Sequence, residues 1–284
     1  MSHTATAAAI TAREWAVAEA AVHLESLWTA GDAYEAYVGR WSRLVARRFV
    51  EWLGPSTGLR WVDVGCGTGV VTQTVLDVAA PATVLAVDRS EAFIATAKAR
   101  IGDPRARFQV ADARALPVSD AWADVATSGL VLNFVADHAL AVAEMQRTVR
   151  RAGTIALYVW DYAGEMQMMR YFWNAATELD ACARSLDEGE LFPICRPERL
   201  LALFKERGMV GAECVALDVP TVFTDFNDFW SPFVGGEGPA PRYLRTLSEQ
   251  RQTMLKECAR AALPIANDGS IHLIARAFAV RAIA

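Results

Sequence analysis

The stretch "VDVGCGTG", residues 62–69, constrains the fold of this chain more than any other. Branched apolar residues run into Asp63, glycines follow at 65, 67 and 69, and "VVTQTVL" then has the character of a helix. A strand that turns on glycine into a helix is the joint from which parallel sheets are wound. Glycine has no Cβ, so the backbone there bends tightly and comes close to a ligand.

The rest of the chain extends this beginning. Short branched runs at 60–64, 83–88, 106–111, 123–130 and 154–160 alternate with helical stretches, the pattern of a parallel sheet with right-handed crossovers. "SEAFIATAKARI" predicts a helix capped by Ser90, with Phe93, Ile94 and Ala97 on its apolar face. "HALAVAEMQRTVRRAG" predicts another, whose C-terminal end holds arginines and then Gly153. Upstream, Leu44, Val45, Phe49, Val50 and Leu53 fall near helical spacing, and "GPSTG" at 54–58 ends that helix. Residues before about Thr29 also suit a helix, with Trp15, Val22 and Leu27 as its contacts. After Trp160 the alternation breaks. "GEMQMMRYFWNAATELDACARSL" reads as an inserted helix and "RPERLLALFKERGM" as one with Pro197 in its first turn, while 212–222 and 272–280 read as two late strands. Between those strands a Gly/Pro loop and then a helix are predicted, and "GGEGPAP" at 235–241 reads equally as a mobile lid or a plain surface loop.

The residues around the glycines narrow the ligand. Asp88 in "VLAVDRS" follows them at about the spacing of a ribose-binding acid, since a carboxylate accepts from both sugar hydroxyls. A dinucleotide fingerprint would put its third glycine where Val70 stands, and Asp63 would be an unwelcome neighbour for a pyrophosphate. Both departures favour a ligand with positive charge, which S-adenosylmethionine carries on its sulfonium and ammonium groups. Asp112 in "VADARALP" stands just past the third strand, suited to accept from an adenine amino group.

With "VDVGCGTG", "AVDRS", "VADARALP" and "GLVLNFVADHALAVAEMQRTVRRAGTIAL" in this order, the region from about 31 to 161 resembles the class I S-adenosylmethionine-dependent methyltransferases, especially the small-molecule group called type 11. The resemblance implies an α/β, Rossmann-like, doubly wound sheet of seven strands with an antiparallel last strand. It implies that Gly65, Cys66 and Gly67 line the methionine moiety, that Asp88 holds the ribose with Arg89 beside the adenine, and that Asp112 and Ala113 face the adenine amino group. It also implies that Leu130 stands against the methionine end. "YVGRWS" resembles the N-terminal cap segment of such enzymes, which adds Tyr37, Arg40 and Ser42 as cofactor contacts. The implied organisation is an N-terminal helical cap over 1–56, a cofactor-binding core over 57–161, and a C-terminal part over 162–284 with inserted helices, the last two strands and a substrate cap. The implied product is S-adenosylhomocysteine.

Composition excludes other classes. With 284 residues and 53% hydrophobic content the chain fills one substantial core, and a net charge of -5 from mixed residues leaves no basic footprint for nucleic acid. Five scattered cysteines form no zinc or redox spacing, no apolar run reaches the roughly 18 residues that span a bilayer, and Arg13, Glu14 and Glu19 interrupt any N-terminal signal core. A cytoplasmic enzyme with a small-molecule acceptor is therefore expected, against a nicotinamide-dependent oxidoreductase or a non-catalytic binder of the same cofactor. Asn133, placed with the cofactor-binding residues, and His138 follow the fourth strand toward the acceptor, although His138 is more simply a helix cap. Trp160, Asp161 and Tyr162 end the fifth strand at the ligand edge. His272 is most simply structural and Cys66 a small residue in a tight turn. The Met and aromatic residues Met166, Met168, Met169, Tyr171, Phe172 and Trp173, with Phe226, Phe229, Trp230 and Phe233, suit either an apolar or aromatic acceptor pocket or helix packing.

Overall fold

The computed structural model describes residues 39–284. Tyr37, Trp15, Val22, Leu27 and most of the expected N-terminal cap lie outside the described residues. The strands are β1 (Arg60–Val64), β2 (Thr83–Asp88), β3 (Ala106–Val110), β4 (Ala123–Gly129), β5 (Val149–Trp160), β6 (Val210–Phe223) and β7 (Ile271–Ile283). They form one sheet in the order β3-β2-β1-β4-β5-β7-β6. Neighbours from β3 to β5 pair in parallel, whereas β7 runs antiparallel to both β5 and β6. The chain leaves β1 for β2 on one side and returns to β4 on the other, so the switch point lies between β1 and β4.

Helix α1 (Arg40–Leu53) buries Trp41, Val45, Phe49 and Val50, and Gly54 ends it in the left-handed region at φ 55°. Leu44, expected on the apolar face, is instead exposed. Helices α2 (Val70–Val78) and α3 (Glu91–Arg100) follow β1 and β2, and the Ser90 hydroxyl accepts from the Phe93 N–H at 3.3 Å as predicted. Helix α4 (His138–Thr148) corrects two expectations. Asp137, not His138, caps it, accepting from the Leu140 N–H at 2.9 Å. The helix keeps Arg147 in its last turn but stops before Arg150 and Arg151: β5 begins at Val149, with a register irregularity and Ala152 at φ 61° before the ladder resumes at Thr154. Gly153 lies inside that strand, where a Cβ would come within 2.6 Å of the Asp124 carbonyl oxygen.

After β5 come α5 (Gln167–Leu179), the short α6 (Glu188–Leu191) and α7 (Pro197–Glu206). Between β6 and β7 the expected loop and single helix are three helices, α8 (Phe226–Gly235), α9 (Pro239–Thr246) and α10 (Glu249–Ala262). The Gly/Pro stretch is thus no long lid. Gly235 closes α8, and Pro239 opens α9 at its first position, where the missing N–H is no loss. Phe172 of α5 stacks on Phe233 of α8 at 4.5 Å and lies 6.0 Å from Trp230, so the Met-rich helix and the later aromatics pack on each other. Among the described residues no helix is long and apolar enough to cross a membrane.

Candidate functional site

A cavity of about 380 Å³ opens at the C-terminal ends of β1, β2 and β4, within the range of small-molecule pockets. The glycine turn forms its floor. Gly65, Gly67 and Gly69 have φ of 72°, 53° and 92°, conformations that L side chains rarely adopt. The Gly65 and Cys66 N–H groups donate to the Val87 carbonyl at 2.8 and 2.9 Å, tying the turn to β2. A Cβ on Gly65 would lie 2.5 Å from Val131, and one on Gly69 2.6 Å from Ile101, whereas above Gly67 there is nothing within 4 Å. That space belongs to the cavity.

Asp88 stands at the end of β2 and also lines the cavity. Its Oδ2 accepts from the Gly67 N–H and its Oδ1 from the Ser90 N–H, both at 2.9 Å. Burial raises its pKa, and the two backbone bonds partly oppose the shift. Asp112 is held differently. Arg114 grips it through Nε at 2.9 Å and Nη2 at 2.7 Å, and this pairing lowers its pKa to about 2. The Arg114 backbone N–H also donates to Oδ1 at 2.8 Å, so Asp112 is a carboxylate at neutral pH with one lone pair, on Oδ2, left for another donor.

Beneath the turn Asp63 is wholly buried. Thr72 donates its hydroxyl to Oδ2 at 2.6 Å, and desolvation pushes the pKa up to about 7. Burial also raises the Cys66 thiol well above its ordinary value, so Cys66 is an inert small residue.

The structure brings Ser42, Gly65, Cys66, Gly67, Asp88, Arg89, Asp112, Ala113 and Leu130 to one cavity. Leu130 sits at φ 62°, an uncommon conformation for leucine, held by its N–H bonding to the Tyr158 carbonyl at 2.8 Å. Two candidates are not among the cavity walls. Arg40 donates to Asp228 at 3.0 Å and lies 4.3 Å over the Trp41 ring and 4.8 Å over Phe223, pinning α1 to α8. Asn133 is buried, and its Nδ2 has no partner. Tyr37 lies outside the described residues.

Of the residues ending β5, Trp160 is buried, and Asp161 is occupied by the Gly164 and Glu165 N–H groups at 2.9 and 2.8 Å. Tyr162 packs 5.5 Å from Phe192. His272 shares a 3.1 Å contact with the Ser270 hydroxyl at the start of β7, a structural position. The Met and aromatic cluster does not line the cavity.

Sequence reasoning missed Phe93, Arg114, Phe134 and Tyr158, all of which face it. Arg114, two residues beyond Asp112, was detectable as a pairing partner. Phe93 sits at the edge of a helical face, where periodicity alone does not separate core from cavity. Tyr158 is recognisable only through Gly129, where a Cβ would meet its hydroxyl at 2.6 Å.

Residues 62–157 match the family model described as a methyltransferase domain. A trans-aconitate 2-methyltransferase of Variovorax paradoxus is 30% identical over 102 residues, 36% of this chain and 39% of that protein. A demethylmenaquinone methyltransferase of Roseiflexus castenholzii is 35% identical over 102 residues, 36% of this chain and 42% of that protein. The chain spans about half or less of the length of the curated relatives it matches. Among solved structures, a Haemonchus contortus phosphoethanolamine N-methyltransferase in complex with S-adenosyl-L-methionine aligns with TM-score 0.59 at 15% identity, over 92% of this chain and 59% of that one, a likeness of fold.

Proposed function

We propose that this chain, whose residues 62–157 match a methyltransferase-domain model, is a class I S-adenosylmethionine-dependent methyltransferase that moves a methyl group from that cofactor to a small-molecule acceptor. One observation carries the reading. The bare turn at Gly67 is hydrogen-bonded to Asp88 and borders the same cavity as Asp112, so a backbone cradle, a sugar acceptor and a base acceptor share one space. The relatives named for trans-aconitate and demethylmenaquinone support a small acceptor.

In this reading Gly65, Cys66, Gly67 and Leu130 surround the methionine end, Asp88 accepts from the ribose hydroxyls, and Arg89, Asp112 and Ala113 meet the adenine. Ser42 closes the site from α1. When bound, S-adenosylmethionine supplies a sulfonium-activated methyl carbon. The chain's own residues contribute placement, which for well-oriented partners amounts to roughly 7 to 11 kcal/mol of barrier. Phe134, Val135 and Val131 add apolar wall, which favours an apolar or aromatic acceptor. Outside 57–161, β6 and β7 complete the sheet, and the helices serve as caps. A cytoplasmic location agrees with five cysteines that are all free.

Incubation with methyl-labelled cofactor and a metabolite extract, followed by mass spectrometry, tests the reaction. A labelled small molecule is expected. Cofactor binding with no labelled product would leave a binding protein, and thermal stabilisation by NAD with none by S-adenosylhomocysteine would overturn the cofactor.

Gly67→Val is expected to abolish cofactor binding, because its side chain enters the open space above the turn. Gly58, at φ 75° with nothing within 4 Å, is the control: Gly58→Val carries comparable backbone strain far from any ligand. Calorimetry in which both variants bind alike would show that the turn is not the contact surface.

A further inference from the structure

The loop that follows β3 places two charged residues on the cavity wall, Asp112 and Arg114, and the chain pins that loop at both ends. On the β2 side the Ala111 N–H donates to the Asp88 carbonyl at 3.0 Å, and Asp88 pairs in register with Val110. On the α4 side the Leu116 N–H donates to Glu144 at 2.8 Å, and Arg147 donates to the Leu116 carbonyl at 3.0 Å. Within this fixed loop Arg114 gives Asp112 three donors. Its backbone N–H and Nε reach Oδ1 at 2.8 and 2.9 Å, and Nη2 reaches Oδ2 at 2.7 Å. A planar guanidinium fork of this kind fixes the plane of a carboxylate as well as its charge. Arg89, just past β2, adds a second positive charge on the same cavity, and Asp112 stays ionised between the two arginines. An ionised carboxylate accepts hydrogen bonds and donates none.

We propose that Arg114 is a positioning residue that sets the base specificity of the cavity: its fork holds Asp112 as a fixed acceptor, which admits a purine with a 6-amino donor and rejects one with a 6-oxo acceptor. The proposal rests on the reading of the cavity as an S-adenosylmethionine site. The amino group donates to the one Oδ2 lone pair that Arg114 leaves. A 6-oxo purine brings an acceptor to an acceptor, and neither holds a proton to share. Rejection is strong where a site's own polar group is left unpaired by the wrong ligand. Without the fork, Asp112 keeps only the backbone bond from residue 114 and its carboxylate is free to turn. It then reaches the N1–H that a 6-oxo purine carries, and the contrast between the two bases shrinks.

The test is titration calorimetry of the whole protein with S-adenosylhomocysteine and S-inosylhomocysteine, which share the ribose and the amino-acid tail and differ at the purine edge. The native protein is expected to prefer the adenosyl ligand by about 10- to 100-fold, the scale of a hydrogen bond to a charged group. In Arg114→Gln that preference should fall to a few-fold, with a thermal melt close to native. A merely structural loss would weaken both ligands alike and leave their ratio standing. Arg114→Lys keeps the charge without the fork and should also lower the ratio, which keeps the proposal testable if Arg114→Gln fails to fold. An unchanged ratio in either folded variant would overturn the proposal alone. The absence of any binding by the folded native protein would overturn the underlying site reading instead.

Discussion

Asp88→Ala is expected to raise the dissociation constant for S-adenosylmethionine about 10- to 150-fold while leaving the fold intact. The range corresponds to roughly 1.5 to 3 kcal/mol, the scale of hydrogen bonds to a charged group. Two backbone N–H groups already occupy one lone pair on each Asp88 oxygen, so the carboxylate is oriented before ligand arrives. Its remaining lone pairs are free to accept from two adjacent sugar hydroxyls. Truncation removes those acceptors and also releases the Gly67 N–H, so loss of orientation adds to loss of contact. Stability should move less than affinity, because burial raises the Asp88 pKa and its ionised form is a cost to the folded state. Titration calorimetry paired with a thermal melt separates the two effects. Unchanged affinity in a folded variant would remove Asp88 from the site.

The sheet was legible because its strands are short branched runs between turn residues, and that information is local. All seven strands were located, and Gly65, Gly67, Asp88 and Asp112, singled out for their places at strand ends, line one cavity. What escaped depends on tertiary neighbours. Arg40 looked like a cofactor contact, but Asp228, 188 residues later, takes its guanidinium. Leu130 adopts a left-handed backbone where its N–H bonds the Tyr158 carbonyl, a contact between β5 and the end of β4. The Gly/Pro stretch misled because proline both punctuates loops and starts helices, and here it starts one. The Met and aromatic residues were ambiguous for a related reason, since apolar residues at helical spacing do not say what covers them. The facing helix α8 decided it, with Phe233 stacked on Phe172.

Glu188→Gln is expected to stabilise the protein by about 3 kcal/mol at pH 8 and to make no difference near pH 4. Glu188 opens α6 fully enclosed, accepting from the Trp173 indole N–H, while its Oε1 has no partner. Burial, with a smaller push from Asp187, raises its pKa from the ordinary 4.5 to about 7, against the pull of Arg170. The folded chain thus retains a proton that the unfolded chain gives up above 4.5. Between those values the unfolded state binds fewer protons, so this group's contribution to stability falls as pH rises from 4.5 to 7, and its full cost persists above 7. Two and a half pH units at 1.36 kcal/mol each give about 3 kcal/mol. Glutamine keeps an acceptor for Trp173 and does not ionise, so it escapes the penalty. Asp63 titrates over the same range in the same direction, but it does so in both proteins and cancels in the difference. Urea unfolding at pH 4, 6 and 8 gives the comparison, and parallel stability curves would show that Glu188 does not carry the titration. The site is linked to this group through packing: Phe192, whose N–H bonds the Glu188 carbonyl at 3.0 Å, meets Phe134 edge-on at 5.3 Å, and Phe134 lines the cavity.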